Sequence, residues 1–84
     1  MQPIEFIRRS VFNASQAEFA AIAKTRQSTV SRWEAGTLHP DRLQMTAIRE
    51  AARERGIAWN DLWFFEVPAA PKAALEPVKA RALA

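Results

Sequence analysis

Residues 15–36 read SQAEFAAIAKTRQSTVSRWEAG, and the rest of the chain is organised around them. The pattern predicts two short helices joined by a tight turn, the first from about Gln16 to Ala23 and the second from about Gln27 to Ala35. Ser15 suits an N-cap, and Glu18 three residues later completes a capping box. Phe19, Ala20 and Ala23 recur at helical spacing, with Ile22 beside them. In the second segment Val30 and Trp33 repeat at i, i+3 and are core candidates. Gln27, Ser28, Ser31 and Arg32 fall on the opposite face. Gly36 is the left-handed residue expected just past a helix end. A helix face of Gln, Ser and Arg, with no carboxylate among the four, suits the major groove of double-stranded DNA. There Arg pairs with guanine, Gln with adenine and Ser with either, and a good bidentate pair gives roughly 1–3 kcal/mol of discrimination.

The order Gln16, Phe19-Ala20, Ser28-Thr29-Val30-Ser31-Arg32-Trp33-Glu34, then Gly36, resembles the phage-repressor/Cro helix-turn-helix family. This is also called the xenobiotic-response-element (XRE) family of bacterial regulators. The resemblance covers about residues 4–64 and agrees in residue type and spacing across four separate elements. It implies an all-α, compact, five-helix, lambda-repressor-like DNA-binding domain that works as a homodimer, most often as a repressor. It also implies that Gln16 anchors a backbone phosphate, that backbone amides near Thr37 meet phosphate, and that Arg42 approaches the minor groove between half-sites. Three positions depart from the family pattern. Lys24 stands where the turn usually has Gly, Thr25 takes an apolar place, and Trp33 replaces a smaller aliphatic. Lys24 then either takes φ > 0 with some strain or the turn has another shape.

Around the recognition segment, Lys24 is the expected phosphate contact, and Arg26 serves either phosphate or base. Thr25 or Arg26 lies just outside the second helix. Thr29 faces a phosphate or the neighbouring helix. Glu34 is expected to pair with a nearby Arg or to cap a neighbouring helix. The backbone-contact set is therefore Gln16, Lys24, Thr25, Arg26, Thr29, Thr37 and Arg42. The base-reading set is Gln27, Ser28, Ser31 and Arg32.

Upstream, Pro3 can open a first helix. Ile4, Ile7 and Val11 form its inner stripe, and Arg8 and Arg9 are assigned to the solvated side. Downstream, Pro40 and Asp41 are expected to occupy the first turn of a fourth helix. Its stripe is Leu43, Ala47, Ile48, Ala51 and Ala52, and Gly56 ends it. Residues 58–65, AWNDLWFF, are expected to form a short fifth helix, with Trp59 and Leu62 in the core. Four of the eight aromatic residues lie in this stretch. A domain this small cannot readily bury all of them, so Trp59, Trp63, Phe64 and Phe65 are candidates for a dimer interface within residues 57–67.

Composition narrows the function classes. Eighty-four residues make one small domain, residues 1–67, followed by an Ala/Pro/Lys-rich tail, residues 68–84. Seven Ala and three Pro among the tail's seventeen residues predict a flexible, mostly disordered extension. The net charge of +3 overstates the basicity of the folded part. Residues 1–67 hold nine Lys/Arg against eight Asp/Glu, and the rest comes from Lys72, Lys79 and Arg81 against Glu76. A DNA-binding face must therefore arise from local placement. There is no cysteine and one histidine, His39, so no cofactor, metal site or catalytic constellation is expected. No apolar run approaches a membrane span and no signal peptide is evident, which together predict a cytoplasmic protein; that it is bacterial is what the resemblance implies. Two other readings compete with the regulator. One is an antitoxin-type autoregulator that also binds a toxin protein, and the other is a protein-interaction adaptor without DNA binding.

Overall fold

Pro3 opens the first helix, where its fixed φ and missing N–H carry no penalty, and α1 runs Pro3–Phe6. It does not stop there. Ile7–Val11 widens into a π-helical turn, in which the Phe12 N–H donates to the Ile7 carbonyl at 3.0 Å. The computed structural model describes residues 1–68. Its remaining elements are α2 (Gln16–Ala23), α3 (Gln27–Ala35), α4 (Arg42–Glu54) and a 3₁₀ turn (Asp61–Phe64). The described chain is all-helical, small and compact, with no strand among the described residues. The tail's expected disorder concerns residues 69–84, which lie outside the described part.

Local chemistry sets the helix ends. Ser15 and Asp41 each cap a helix through a reciprocal box, with Glu18 and Gln44 as the returning partners. Asp41 is therefore the cap of α4 and Pro40 precedes it, so neither lies inside the first turn as the sequence suggested. The three longer helices end alike. Lys24, Gly36 and Gly56 take left-handed backbones at φ 59, 83 and 70°. The next N–H, from Thr25, Thr37 or Ile57, reaches back to the carbonyl of Ala20, Arg32 or Ala52 at 2.8–3.0 Å. This is the Schellman arrangement.

The core gathers Ile4, Phe6 and Ile7 of the first segment, Phe19, Ala20 and Ala23 of α2, Val30 and Trp33 of α3, and Ile48 of α4. α2 packs on α3 and α4, and α1 packs on α3 and the 3₁₀ turn. Of the expected α4 stripe, Ile48 and Ala52 are buried while Ala47 and Ala51 are half-buried. Leu43 is 81% exposed.

Two assignments are corrected. Arg8 is not on the solvated side but is buried, with Ile7. Arg8 follows Ile4 by four residues and so shares the inner stripe of Ile4, Ile7 and Val11. Where a fifth helix was expected, the chain makes a single 3₁₀ turn, and Leu62 is 58% exposed rather than in the core. A 3₁₀ turn repeats every three residues, so Leu62 and Phe65 share its outer side while Trp63 and Phe64 turn inward. Trp63 meets Phe6 edge-on at 5.8 Å and Trp59 at 5.2 Å, and Trp59 lies 5.1 Å from Phe64. Such pairs contribute roughly 0.5–1.5 kcal/mol each beyond area burial. No helix among the described residues is long and apolar enough to cross a membrane.

Candidate nucleic-acid interface

Lys24, Thr25 and Arg26 make the whole connection between α2 and α3. Lys24 bends the chain through its left-handed backbone, and Arg26 is the extended residue just outside α3. Both side chains are exposed, while Thr25 is half-buried. Val30 and Trp33 face the core, with 0% and 3% exposure. That anchoring fixes the rotation of α3, and it leaves Gln27, Ser28, Ser31 and Arg32 exposed together. Thr29 is half-buried beside them. The four sequence-assigned base readers thus share one solvent face.

The charge on that face follows from where Glu34 goes. Glu34 is the only carboxylate in α3, and it turns inward to meet Arg8. Arg8 Nε and Nη2 donate to the two Glu34 oxygens, the second at 3.0 Å, and Arg8 Nη1 donates to the Ala14 carbonyl at 3.0 Å. Gln16 Nε2 donates to Glu34 Oε1 at 3.1 Å. The Arg8 and Glu34 side chains are 10% and 11% exposed. Burial alone raises the Glu34 carboxyl, but the Arg8 and Gln16 hydrogen bonds and the Arg8 charge outweigh it, and the group sits below its ordinary value. The hydrogen bond to Glu34 raises Arg8 despite its desolvation. One bidentate pair therefore joins α1 to α3, holds the loop before α2, and takes the negative charge of α3 off the exposed face.

Cations remain. Among the described residues, none of Lys24, Arg26, Arg32 and Arg42 makes an ion pair. α3 also starts without a side-chain cap, unlike α2 and α4, and it lacks the first-turn carboxylate that Glu18 gives α2. Its first N–H groups and positive dipole end thus lie beside Arg26 with no acceptor side chain among the described residues.

Other assigned residues are placed differently. Gln16 is half-buried with its amide committed to Glu34, which fixes the side chain at the start of α2. The Thr37 hydroxyl donates to the Arg32 carbonyl at 3.2 Å and so closes the end of α3. Arg42 is exposed at the first position of α4. Of the four aromatic interface candidates, Trp59, Trp63 and Phe64 pack against the core, and only Phe65 is well exposed, at 70%. His39 is an exposed loop residue. Among the described residues no three His, Asp or Glu side chains gather as metal ligands.

Sequence reasoning missed Arg8 as the partner of Glu34. The signal was there in part, because a carboxylate on a helix packed into the core needs a partner cation. The helical period is a second signal, because Arg8 stands four residues after Ile4 and shares its face, but its charge points to solvent. Comparison of the chain with protein-family models, with curated proteins and with solved structures finds no match.

Proposed function

We propose that this chain is a sequence-specific DNA-binding transcriptional regulator of the lambda-repressor-like helix-turn-helix kind, acting as a dimeric repressor on an inverted repeat. The observation that carries the reading is the α3 face. Gln27, Ser28, Ser31 and Arg32 are presented together, flanked by Lys24 and Arg26, which make no ion pair among the described residues, with the one carboxylate of α3 withdrawn into a buried pair. In this reading α2 crosses the backbone and α3 enters the major groove. Gln27 and Arg32 make the bidentate base contacts, with the two serines beside them. Lys24, Arg26, Arg42 and the unused donors at the start of α3 fix the register on phosphate. Control arises from occupancy of the operator.

Selection from a random double-stranded DNA library at near-physiological salt tests this. An enriched inverted repeat with fixed half-site spacing is the expected result. Binding that is sequence-independent and merely salt-sensitive, or no binding, overturns it and leaves the adaptor reading.

A further inference from the structure

Arg42, Thr46 and Arg49 stand at i, i+4 and i+7 of α4 and so share one face of it. With Met45, Asp61, Phe64 and Phe65 they line a hollow of about 270 Å³ between α4 and the 3₁₀ turn. Its lining is of two kinds. Met45 and Phe64 are half-buried and Phe65 is exposed, and these three are apolar. The two guanidiniums have little to hold. Arg42 makes no ion pair among the described residues. Arg49 Nη1 donates to Asp61 Oδ2 at 3.4 Å, a long contact, and the other Asp61 oxygen accepts from the Trp59 indole N–H at 2.8 Å. Glu50 Oε2 lies 4.0 Å from Arg49 Nε, beyond hydrogen-bond reach, and accepts instead from Arg53 at 3.1 Å. Arg49 Nε is screened from solvent with no acceptor among the described residues. A half-buried guanidinium that spends one of its donors on the protein is poorly satisfied.

We infer that this hollow binds a small organic monoanion, an aromatic carboxylate of a single ring. Charge sets the valence. Arg42 and Arg49 against Asp61 leave one positive charge among the lining residues, which one carboxylate neutralises. Seven residues of helix separate the two Cα atoms by about 10 Å along the axis, so two arginine arms can converge on one ligand, and the guanidinium fork matches a carboxylate. The Met45 thioether and the Phe64 and Phe65 rings supply the contacts that a ring uses. Volume sets the size. The hollow falls below the roughly 300–1,000 Å³ of sites for drug-sized ligands, which suits one ring and not a fused system. A phosphodiester offers those three apolar side chains nothing. Arg42 is a phosphate contact under the proposed function, so on that reading an occupied hollow lowers operator affinity.

Sodium benzoate, titrated at constant ionic strength into the isotope-labelled full chain, is the probe. The Arg42 and Arg49 Nε–Hε resonances and the Thr46 and Phe65 amides should shift to saturation with a Kd on the order of 1 mM, while the Nε–Hε resonances of Arg53 and Arg55 stay in place. Benzamide keeps the shape without the charge, and acetate keeps the charge without the ring. Each should bind at least about tenfold more weakly. Arg42→Gln removes an exposed side chain that has no ion pair among the described residues, so the thermal melt should hold while the benzoate Kd rises about tenfold. Shifts that never saturate, an equal response to benzamide or acetate, equal movement at Arg53 and Arg55, or an unchanged Kd in Arg42→Gln each overturns the site. These measurements contain no DNA, so their failure leaves the proposed regulator reading untouched. On DNA selected by the parent protein, saturating benzoate should weaken the parent and leave Arg42→Gln unaffected; a parent that binds benzoate and DNA independently would overturn the competition.

Discussion

Lys24 shows how one residue can serve stability badly and a surface well. A non-glycine side chain at φ 59° carries a steric cost of about 1–2 kcal/mol. Glycine there regains most of this and gives part back as chain entropy. Lys24→Gly should therefore raise unfolding stability in urea by about 0.5–1 kcal/mol. Under the proposed function the same change removes a phosphate contact. It should weaken binding to every sequence alike and flatten the log–log salt dependence by about 0.9. A sequence-selective loss would instead place Lys24 among the base readers. Arg32→Ala is the contrasting case. The side chain is exposed, so folding should be nearly unchanged. Binding to the best site should fall by roughly 1–3 kcal/mol with relaxed preference at particular base pairs, as read by repeating the library selection with the variant. Unaltered base preferences would show that α3 reads with other residues. The sequence made both positions legible, because turn chemistry and exposed polarity are local properties. Arg8 was misassigned because its charge outweighed its i+4 spacing from Ile4, and the partner that explains its burial, Glu34, lies 26 residues away.

The bounds of α2 and α3 were readable because each has a capping residue or a left-handed stop at the expected place. The 3₁₀ turn was misread as a helix because AWNDLWFF has no breaker, and packing against Phe6 and Phe12 decides its period. The relation between elements rests heavily on the Arg8–Glu34 pair, and this gives a pH prediction. The Glu34 carboxyl in the folded chain lies below its ordinary value near 4.5. A depressed carboxyl contributes stability that is full above the unfolded value and is lost as pH falls through the folded one. Arg8, with its raised value, stays charged throughout. Unfolding stability should thus be level at neutral pH and fall in acid below about 4.5, because Glu34 must take up a proton to lose its partner. Glu18 is also held low, by the Ser15 N–H and hydroxyl, so the informative quantity is the difference from a variant. Glu34→Gln keeps an acceptor for Arg8 but leaves that cation buried without a counter-charge. It should cost about 2–3 kcal/mol at pH 7, with the gap to the parent closing as pH falls. Urea titrations of both proteins from pH 7 to pH 3 measure this. A gap that does not vary with pH would mean that the pair holds the helices by shape and hydrogen bonding, with little from charge.

Under the proposed function, the question at the scale of the whole molecule is how a domain this small commands an operator. One α3 face offers four reading side chains, and a single half-site of that size gives little discrimination against a genome of competitors. Pairing two copies is the economical solution, and the described surface suggests where they meet. The aromatic cluster that the sequence offered for this purpose is mostly spent on the core. Phe65 at 70% exposure, Leu62 at 58% and Leu38 at 43% remain outside, as do Met1 and Leu43 elsewhere on the described surface. Leu38 and Phe65 line one shallow pocket, and the three-residue period sets Leu62 on the same outer side as Phe65. We propose this apolar patch as the centre of the two-fold contact, in place of the tryptophans. Leu62→Ser with Phe65→Ser should leave the melting temperature nearly unchanged, because neither side chain is buried in one copy. The same pair should shift the protein from dimer to monomer in sedimentation at micromolar concentration. It should also weaken binding to the full inverted repeat by at least tenfold, which is about 1.4 kcal/mol, while sparing a single half-site. Trp63→Ala should do the reverse: it should cost about 3 kcal/mol of folding stability before any effect on association. A parent protein that stays monomeric both alone and on its selected DNA would remove the dimer from the proposal. Specificity would then have to come from one α3 helix with Arg26 and Arg42 at its sides.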